Sequence, residues 1–315
     1  MRPLTPAQRE LWTAGDPADP ALWTGSYLDI TGPLDVAALC AAIDAGVAED
    51  DAARLRFTPR GQRLDPRPPE STELRTVPDP VAEMRADLTA DVDLERGPLV
   101  RQAVYRVGAE RHLWFTRVHH LVHDGQSTLI VRARVADHYA ALTGARPAGP
   151  PLGRYWDLLD ELDRYPGSAA YHRDRAYWVR VMTEPATGAP PDDWRTAVLS
   201  AVDGDLFSFP MPGRIGALAA RTPAMLMTVL PLRRGADLRR MAWHQRYPTA
   251  DLRRDLAWPT RWFGPYVTLL DARGPAFGPT ATTTAVLATG LRIDAPVVTA
   301  IRHDDGTTVT TEGTG

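Results

Sequence analysis

The sequence predicts a mixed α/β (α+β) protein built as two lobes, and three observations predict it. At 315 residues, with 44% hydrophobic side chains, the chain is long enough to bury more than one core. Its apolar spacing switches repeatedly between a period of two and a period near 3.6, the marks of strands and amphipathic helices in alternation. A Pro/Gly-rich stretch, A-R-P-A-G-P-P-L-G-R, and a second break, P-A-T-G-A-P-P-D-D, interrupt that pattern and place the lobe boundary near 150 to 185. We divide the chain into an N-terminal lobe, 1–165, and a C-terminal lobe, 166–315.

The elements follow in order. Thr5-Pro6-Ala7-Gln8 is a capping box with proline at the first helical position, opening a short helix that turns Leu11 and Trp12 inward. Y-L-D-I is a strand, Gly32-Pro33 breaks it, and Asp35 caps a helix running to about Val47. The Pro-rich, charged segment 58–82 reads as turns with an edge strand, and 80–90 has helical spacing. R-Q-A-V-Y-R-V and R-H-L-W-F-T-R-V-H-H read as two antiparallel strands. After Asp124-Gly125 the period changes, with Leu129, Ile130, Ala133, Ala136 and Leu142 on one side of a helix that stops at Thr143-Gly144. Residues 154–182 are helical. Beyond them D-L-F-S-F-P, M-L-M-T-V-L-P-L-R and P-Y-V-T-L-L-D read as strands and P-T-A-D-L-R-R-D-L as a short helix.

Composition excludes several functions. Arginine and lysine total 36 against 39 acidic residues, a net charge of -3, which leaves no basic excess for a nucleic-acid backbone. The chain has no lysine, which removes Schiff-base and P-loop lysine chemistry, and no asparagine. The single Cys40 sits in the helical run D-V-A-A-L-C-A-A-I, where buried packing explains it better than a nucleophile does. No run is long and apolar enough for a membrane span or a signal peptide, so a cytoplasmic protein without membrane partners is expected.

The chemistry concentrates in residues 117–125, R-V-H-H-L-V-H-D-G, where three of the chain's 8 histidines crowd beside Asp124. A metal site needs convergent donors. His119 closes a strand, so its i, i+4 relation to His123 does not bring the two onto one helix face. Neighbours on a strand point to opposite faces, so of His119 and His120 one packs and the other meets substrate. A neutral imidazole with a pKa near 6.5 accepts and returns a proton at neutral pH. His123 is expected to be exposed or hydrogen-bonded within the turn.

H-H-x-x-x-D-G at a strand-to-helix turn resembles the signature of nonribosomal peptide synthetase condensation domains, members of the chloramphenicol acetyltransferase-like acyltransferases. Other stretches carry the resemblance in order along the chain. They are Leu4 to Gln8 with Leu11-Trp12, the imperfect Ala52 to Phe57, Asp93-Leu94 with Pro98-Leu99 and Arg101, Tyr177-Trp178, Gly213-Arg214, Leu230-Pro231-Leu232-Arg233, and His244-Gln245 with Tyr247-Pro248. The chain departs from the pattern at Thr228-Val229, where the family has an Asn-Thr pair, and at Gln126, where an aromatic or large apolar residue is common. The stretches near 182–200 and 234–240 are shorter than the family's, either because the C-terminal lobe is reduced or because segments are missing from this sequence, and we favour the second.

The resemblance implies two such lobes in a V-shaped pseudo-dimer with the active site between them. It implies amide bond formation, without a cofactor, between a donor acyl or peptidyl thioester and an acceptor aminoacyl thioester. Each would ride on the phosphopantetheine arm of a carrier protein, with adjacent synthetase domains as further partners and the domain itself a monomer. His120 would face the site as base or as the group that positions the amine, with His119 packing. Asp124, with Arg54 or Arg214 as partner, would form a structural ion pair that shapes the turn. Gly125 would either admit the substrate carbonyl or serve as a turn glycine. An epimerisation domain would carry an E-G-H-G-R type motif where this chain has M-P-G-R, and a heterocyclising domain would carry aspartates for the histidines. A free acyltransferase acting on a small-molecule acceptor, and an inactive module that recruits other proteins, are the alternatives.

Overall fold

The computed structural model describes residues 1–184, 204–234, 236–271, 274–290, 293–303 and 306–312. The shortened stretch expected near 182–200 falls mostly outside them. The chain forms two compact units, Met1–Leu158 with Ala217–Met225 and Arg273–Arg292, and Leu159–Gly216 with Leu226–Ala272 and Ile293–Gly315. The contiguous lobes 1–165 and 166–315 therefore need correction. The division falls at Leu158, and two later stretches return to the first unit because they complete its sheet and its core.

In the first unit a five-stranded sheet runs in the order β10-β1-β6-β5-β4. Its strands are β1 (Trp23–Thr31), β4 (Glu73–Arg75), β5 (Val100–Arg106), β6 (Arg111–His119) and β10 (Ala281–Thr289), while β2 (Leu55–Thr58) and β3 (Gly61–Leu64) form a separate hairpin. β6 is the central strand, antiparallel to β1 and β5. Every residue of β6 after Arg111 is buried. A strand covered on both faces cannot show the polar alternation of a half-exposed one.

The odd-numbered side chains Leu113 and Phe115 pack with Met84 of helix α3 (Pro80–Asp87), where Ala103, Tyr105 and Leu88 join them. The even face lies under helix α4 (Gly125–Leu142), whose Arg132 reaches Ser26 and Trp114. Helix α4 is held by α2 (Val36–Glu49), capped by Asp35 as its sequence requires. The two helices approach closely at Gly46, where a Cβ would lie 2.6 Å from Val135 Cγ2. Cys40 on α2 is only partly buried, and burial raises its thiol pKa.

The face that α4 buries differs from the one its apolar spacing suggests. Val131, Arg132, Arg134, Val135 and Tyr139 are buried, whereas Leu129 and Leu142 are exposed. Two buried arginines disguise the stripe.

The N-terminal helix α1 (Pro6–Thr13) opens on the expected capping box, with Thr5 Oγ1 accepting from Gln8 N at 3.1 Å and Thr5 N donating to Gln8 Oε1 at 2.8 Å. Gln8 is fully buried. Its Nε2 donates to the Leu121 carbonyl at 2.9 Å and touches Gln62 Oε1, which also accepts from Tyr155 OH at 2.9 Å. This satisfied polar network ties the first helix to the turn that follows β6.

The helix expected over 154–182 is two, α5 (Tyr155–Asp163) and α6 (Ala169–Thr183), parted by a turn at Gly167 with φ of 74°. The second unit has its own five-stranded sheet, β12-β11-β9-β7-β8. Its strands are β7 (Leu206–Met211), β8 (Thr228–Arg233), β9 (Tyr266–Asp271), β11 (Val297–His303) and β12 (Gly306–Glu312). Trp178, Phe207, Leu230, Leu232, Tyr247 and Val267 centre its core. Tyr177 stacks on His244 at 3.9 Å between ring centres, and His244 Nδ1 lies 2.8 Å from Asp174 Oδ1, so the Y-W and H-Q motifs meet in this core.

Because Val135 is β-branched and has little freedom to turn aside, Gly46→Leu should destabilise the protein by about 1–3 kcal/mol. Urea unfolding checks this, and an unchanged midpoint would show that α2 and α4 can part freely.

Candidate functional site

The site is built where β6 ends. The parity of the strand continues into the turn, so the two adjacent histidines go to opposite faces of the sheet. His119, fully buried, meets the Trp23 ring edge-on at 5.3 Å, and Arg117 covers the same ring at 4.3 Å. Its Nδ1 accepts from Leu121 N–H at 3.3 Å. Burial pushes its pKa down to about 3, so the ring is neutral and acts as packing.

His120 takes the face toward α4. It is 2% exposed, and its backbone N–H donates to the Leu22 carbonyl at 2.9 Å. Its Nδ1 stands 2.9 Å from the His123 carbonyl oxygen. A carbonyl can only accept, so Nδ1 carries the proton and the neutral ring keeps its lone pair on Nε2. Desolvation is the main reason that the ring's pKa lies below its ordinary value. Gly290, just past β10, closes on this ring, since a Cβ there would come within 3.1 Å of His120 Cδ2 and 2.5 Å of Thr24 Cγ2.

His123 corrects the expectation of a residue exposed or bonded within its own turn. It is 3% exposed, and its Nε2 lies 2.7 Å from Asp50 Oδ2, with Asp50 itself buried. The Asp50 carboxylate also accepts from Ala52 N–H at 3.0 Å, so it links the turn to the segment that leaves α2. Nothing in the spacing of the two residues announces this contact across 73 positions of chain.

Asp124 is the N-cap of α4. Its Oδ1 accepts from Ser127 N–H at 2.9 Å, and the single proton of Ser127 Oγ lies between Asp124 Oδ1 at 2.9 Å and the Ala224 carbonyl at 2.8 Å. Arg54, one of the two expected partners, is not bound to Asp124. Its Nη2 lies 2.6 Å from Asp51 Oδ1, three residues away, because the 3₁₀ turn Asp51–Arg54 places those side chains side by side. Arg214 lies in the second unit, where Nη1 donates to the Pro212 carbonyl at 3.0 Å. Gly125 begins α4 and is exposed, and a Cβ there would meet no protein atom within 4 Å.

The turn thus offers a hydrogen-bond acceptor at His120 Nε2 beside the open first turn of a long helix. Among the described residues no three His, Cys, Asp or Glu side chains gather to hold a metal ion, and no helix is long and apolar enough to cross a membrane. Asp50, Ser127, Trp23 and Gly290 are the neighbours that sequence reasoning missed. Only Ser127, three residues after an Asp N-cap, carried a local signal.

Residues 1–222 match the Condensation domain family. The chain is 31% identical to the isonitrile lipopeptide synthase of Streptomyces coeruleorubidus, over 81% of its own length and 22% of that protein's. It therefore spans about a fifth of the length of that curated relative. Among solved structures, it is similar to VibH, an NRPS condensation enzyme, with a TM-score of 0.81 and 22% identity over 97% of this chain and 88% of that one. That likeness shows the fold. It is also similar to the first condensation domain of the calcium-dependent antibiotic synthetase, solved with a substrate analogue, with a TM-score of 0.77 and 26% identity over 98% of this chain and 90% of that one.

Two predictions follow from the site. Asp124→Ala, which removes the cap on Ser127 N–H, should cost about 1–2 kcal/mol in chemical denaturation, and Asp124→Asn, which keeps an acceptor, should recover most of it. His119 binds no proton in the folded state until about pH 3, against 6.5 for a free side chain, so between those values the unfolded chain holds the extra proton. Stability should then fall as pH drops from 6.5 toward 3, with His112 and His120, also lowered by burial, acting in the same direction. Removing one such group with His119→Asn should flatten the acid limb by up to about 1.4 kcal/mol per pH unit. Denaturation midpoints recorded across that range check it.

Proposed function

The chain belongs to the condensation-domain family, and from that premise we propose that it joins a donor acyl thioester to the amine of an acceptor aminoacyl thioester, each carried on a phosphopantetheine arm. The observation that carries the reading is the state of His120: buried, neutral, protonated on Nδ1 by its bond to the His123 carbonyl, and therefore an acceptor at Nε2.

The reaction forms a C–N bond and breaks the C–S bond of the donor. The amine loses one proton overall, and the departing sulfur leaves as a thiol once it is protonated. An α-amine has a pKa of about 7.7–8.0, so it must shed a proton before its lone pair can attack. His120 Nε2 can accept an N–H of the neutral amine and aim its lone pair at the donor carbonyl. Because burial lowers the ring's pKa, full proton storage on His120 is unfavourable, and orientation is the larger part of its work. Holding both thioesters in register contributes on the order of 7–11 kcal/mol, which leaves only a modest acid–base term to the ring. Asp124 fixes the start of α4, and Gly125 leaves that start uncovered.

The relatives are multidomain synthetases, and this supports donor and acceptor carrier proteins and neighbouring synthetase domains as partners. The arms would bring the substrates, and no further cofactor is assigned. The domain is proposed to work as a monomer in the cytoplasm.

A carrier protein loaded with an acyl thioester, mixed with a second one bearing an aminoacyl thioester, should yield the amide. His120→Ala should lower the rate about 10²–10⁴-fold with the fold retained by circular dichroism. Equal turnover would remove His120 from the chemistry, and no turnover by the wild type with any donor would favour recruitment without catalysis.

A further inference from the structure

Four buried arginines stand among the described residues of the first unit, and three have a carboxylate: Arg56 with Asp65 at 3.3 Å, Arg117 with Asp87 at 3.0 Å and Arg134 with Glu49 at 2.6 Å. The fourth, Arg132 on α4, is 2% exposed and has no ion-pair partner among the described residues. Its Nη2 donates to Ser26 Oγ at 3.0 Å, Nη1 stands 3.5 Å from Thr284 Oγ1, and Nε has no acceptor. Burial lowers its pKa to about 10, so it is still a cation at neutral pH. The Trp114 ring lies 5.8 Å from the guanidinium carbon, but a buried cation without an anion remains strongly unfavourable unless something further compensates it.

Its position relates it to His120. Gly125 and Arg132 are seven residues apart on one helix, so they fall within about 20° of the same face, and that face looks onto the sheet at Ser26. Ser26 is the cross-strand partner of Thr116, and Gln102 accepts from both Thr116 Oγ1 and Trp114 Nε1 at 2.8 Å. These polar groups lie on the even face of β6 that His120 continues. Thr116 precedes His120 by four residues, roughly 13 Å of extended chain. Past the open space at Gly125, the seam between α4 and the sheet thus holds a hydroxyl–amide row and, at Arg132, a buried cation with no carboxylate partner among the described residues.

We propose that Arg132 is the charged end of a substrate pocket between α4 and the first sheet, selecting a reacting group that bears a carboxylate. The proposal rests on the amide-forming reading above. The carboxylate can belong to the donor acyl chain or to the acceptor's side chain, and two arms of one experiment separate them. One arm compares adipoyl with hexanoyl donors against a leucyl acceptor. The other compares glutamyl with norvalyl acceptors against a hexanoyl donor. In parallel, calorimetry measures binding of non-hydrolysable amide analogues of the same pantetheine conjugates.

The acidic member should be favoured about 10- to 100-fold in one arm, and Arg132→Gln should abolish that preference while turnover of the neutral pair persists. A wild-type enzyme that prefers the neutral member in both arms overturns the proposal, even if Arg132→Gln fails to fold. An acid preference that survives in Arg132→Gln overturns it as well. Turnover of neutral pairs without acid preference sinks this inference alone, and Arg132-dependent binding without turnover sinks the catalytic reading alone.

Discussion

The site depends on one constraint, the strict alternation of side chains along a strand that is buried on both faces. β6 lies between β1 and β5 with α3 on one side and α4 on the other, so a shift of one residue would exchange every contact it makes. The register Trp23↔His119 and Ser26↔Thr116 fixes which histidine goes where. His119 is committed to Trp23, and His120 is left to face α4 at the point where the ladder stops. Neither residue's chemistry is set by its identity, since both are histidines. It is set by the face on which each falls.

Around that alternation the turn is fastened from several directions. Gln8 holds the Leu121 carbonyl, Asp50 meets His123, Asp124 caps α4, and the backbone of His120 bonds to Leu22. The partners come from distant parts of the first unit, so the turn forms only once that unit has assembled. Such a turn loses little freedom when substrate arrives, and a group already in place costs no reorganisation during reaction. Gly290, brought back with β10 from late in the chain, adds the last wall.

Most regular elements up to residue 271 were legible in the sequence because local chemistry encodes them, while β10, β11 and β12 were not. The Thr5 to Gln8 capping box, the Asp35 cap and the strand ending on the histidines are all short-range signals, whereas the N-cap role of Asp124 was not read from them. That His119 and His120 take opposite faces was legible for the same reason, through strand parity, whereas the assignment of His120 to the substrate came from the family resemblance. What escaped was set by contacts distant in sequence. Asp50 lies far from His123, β10 leaves the second half of the chain to pair with β1, and Arg54 is claimed by Asp51 before it can reach Asp124. The buried face of α4 was misread because Arg132 and Arg134 are inside and Leu129 and Leu142 outside, the reverse of what hydrophobic spacing assumes. Arg134 is explained by Glu49. Arg132 meets only Ser26, Thr284 and the Trp114 ring, with no carboxylate among the described residues, and this is what directs attention to it.

The account turns on the protonation state of one ring, and nitrogen-15 NMR of histidine-labelled protein at pH 7 measures it directly. The geometry at the His123 carbonyl requires His120 to be neutral with its proton on Nδ1 and Nε2 bare. Detection of that tautomer, identified by the signal lost in His120→Gln, supports the arrangement. An imidazolium, or a ring protonated on Nε2 alone, would contradict it, because neither leaves a lone pair where the amine must be held.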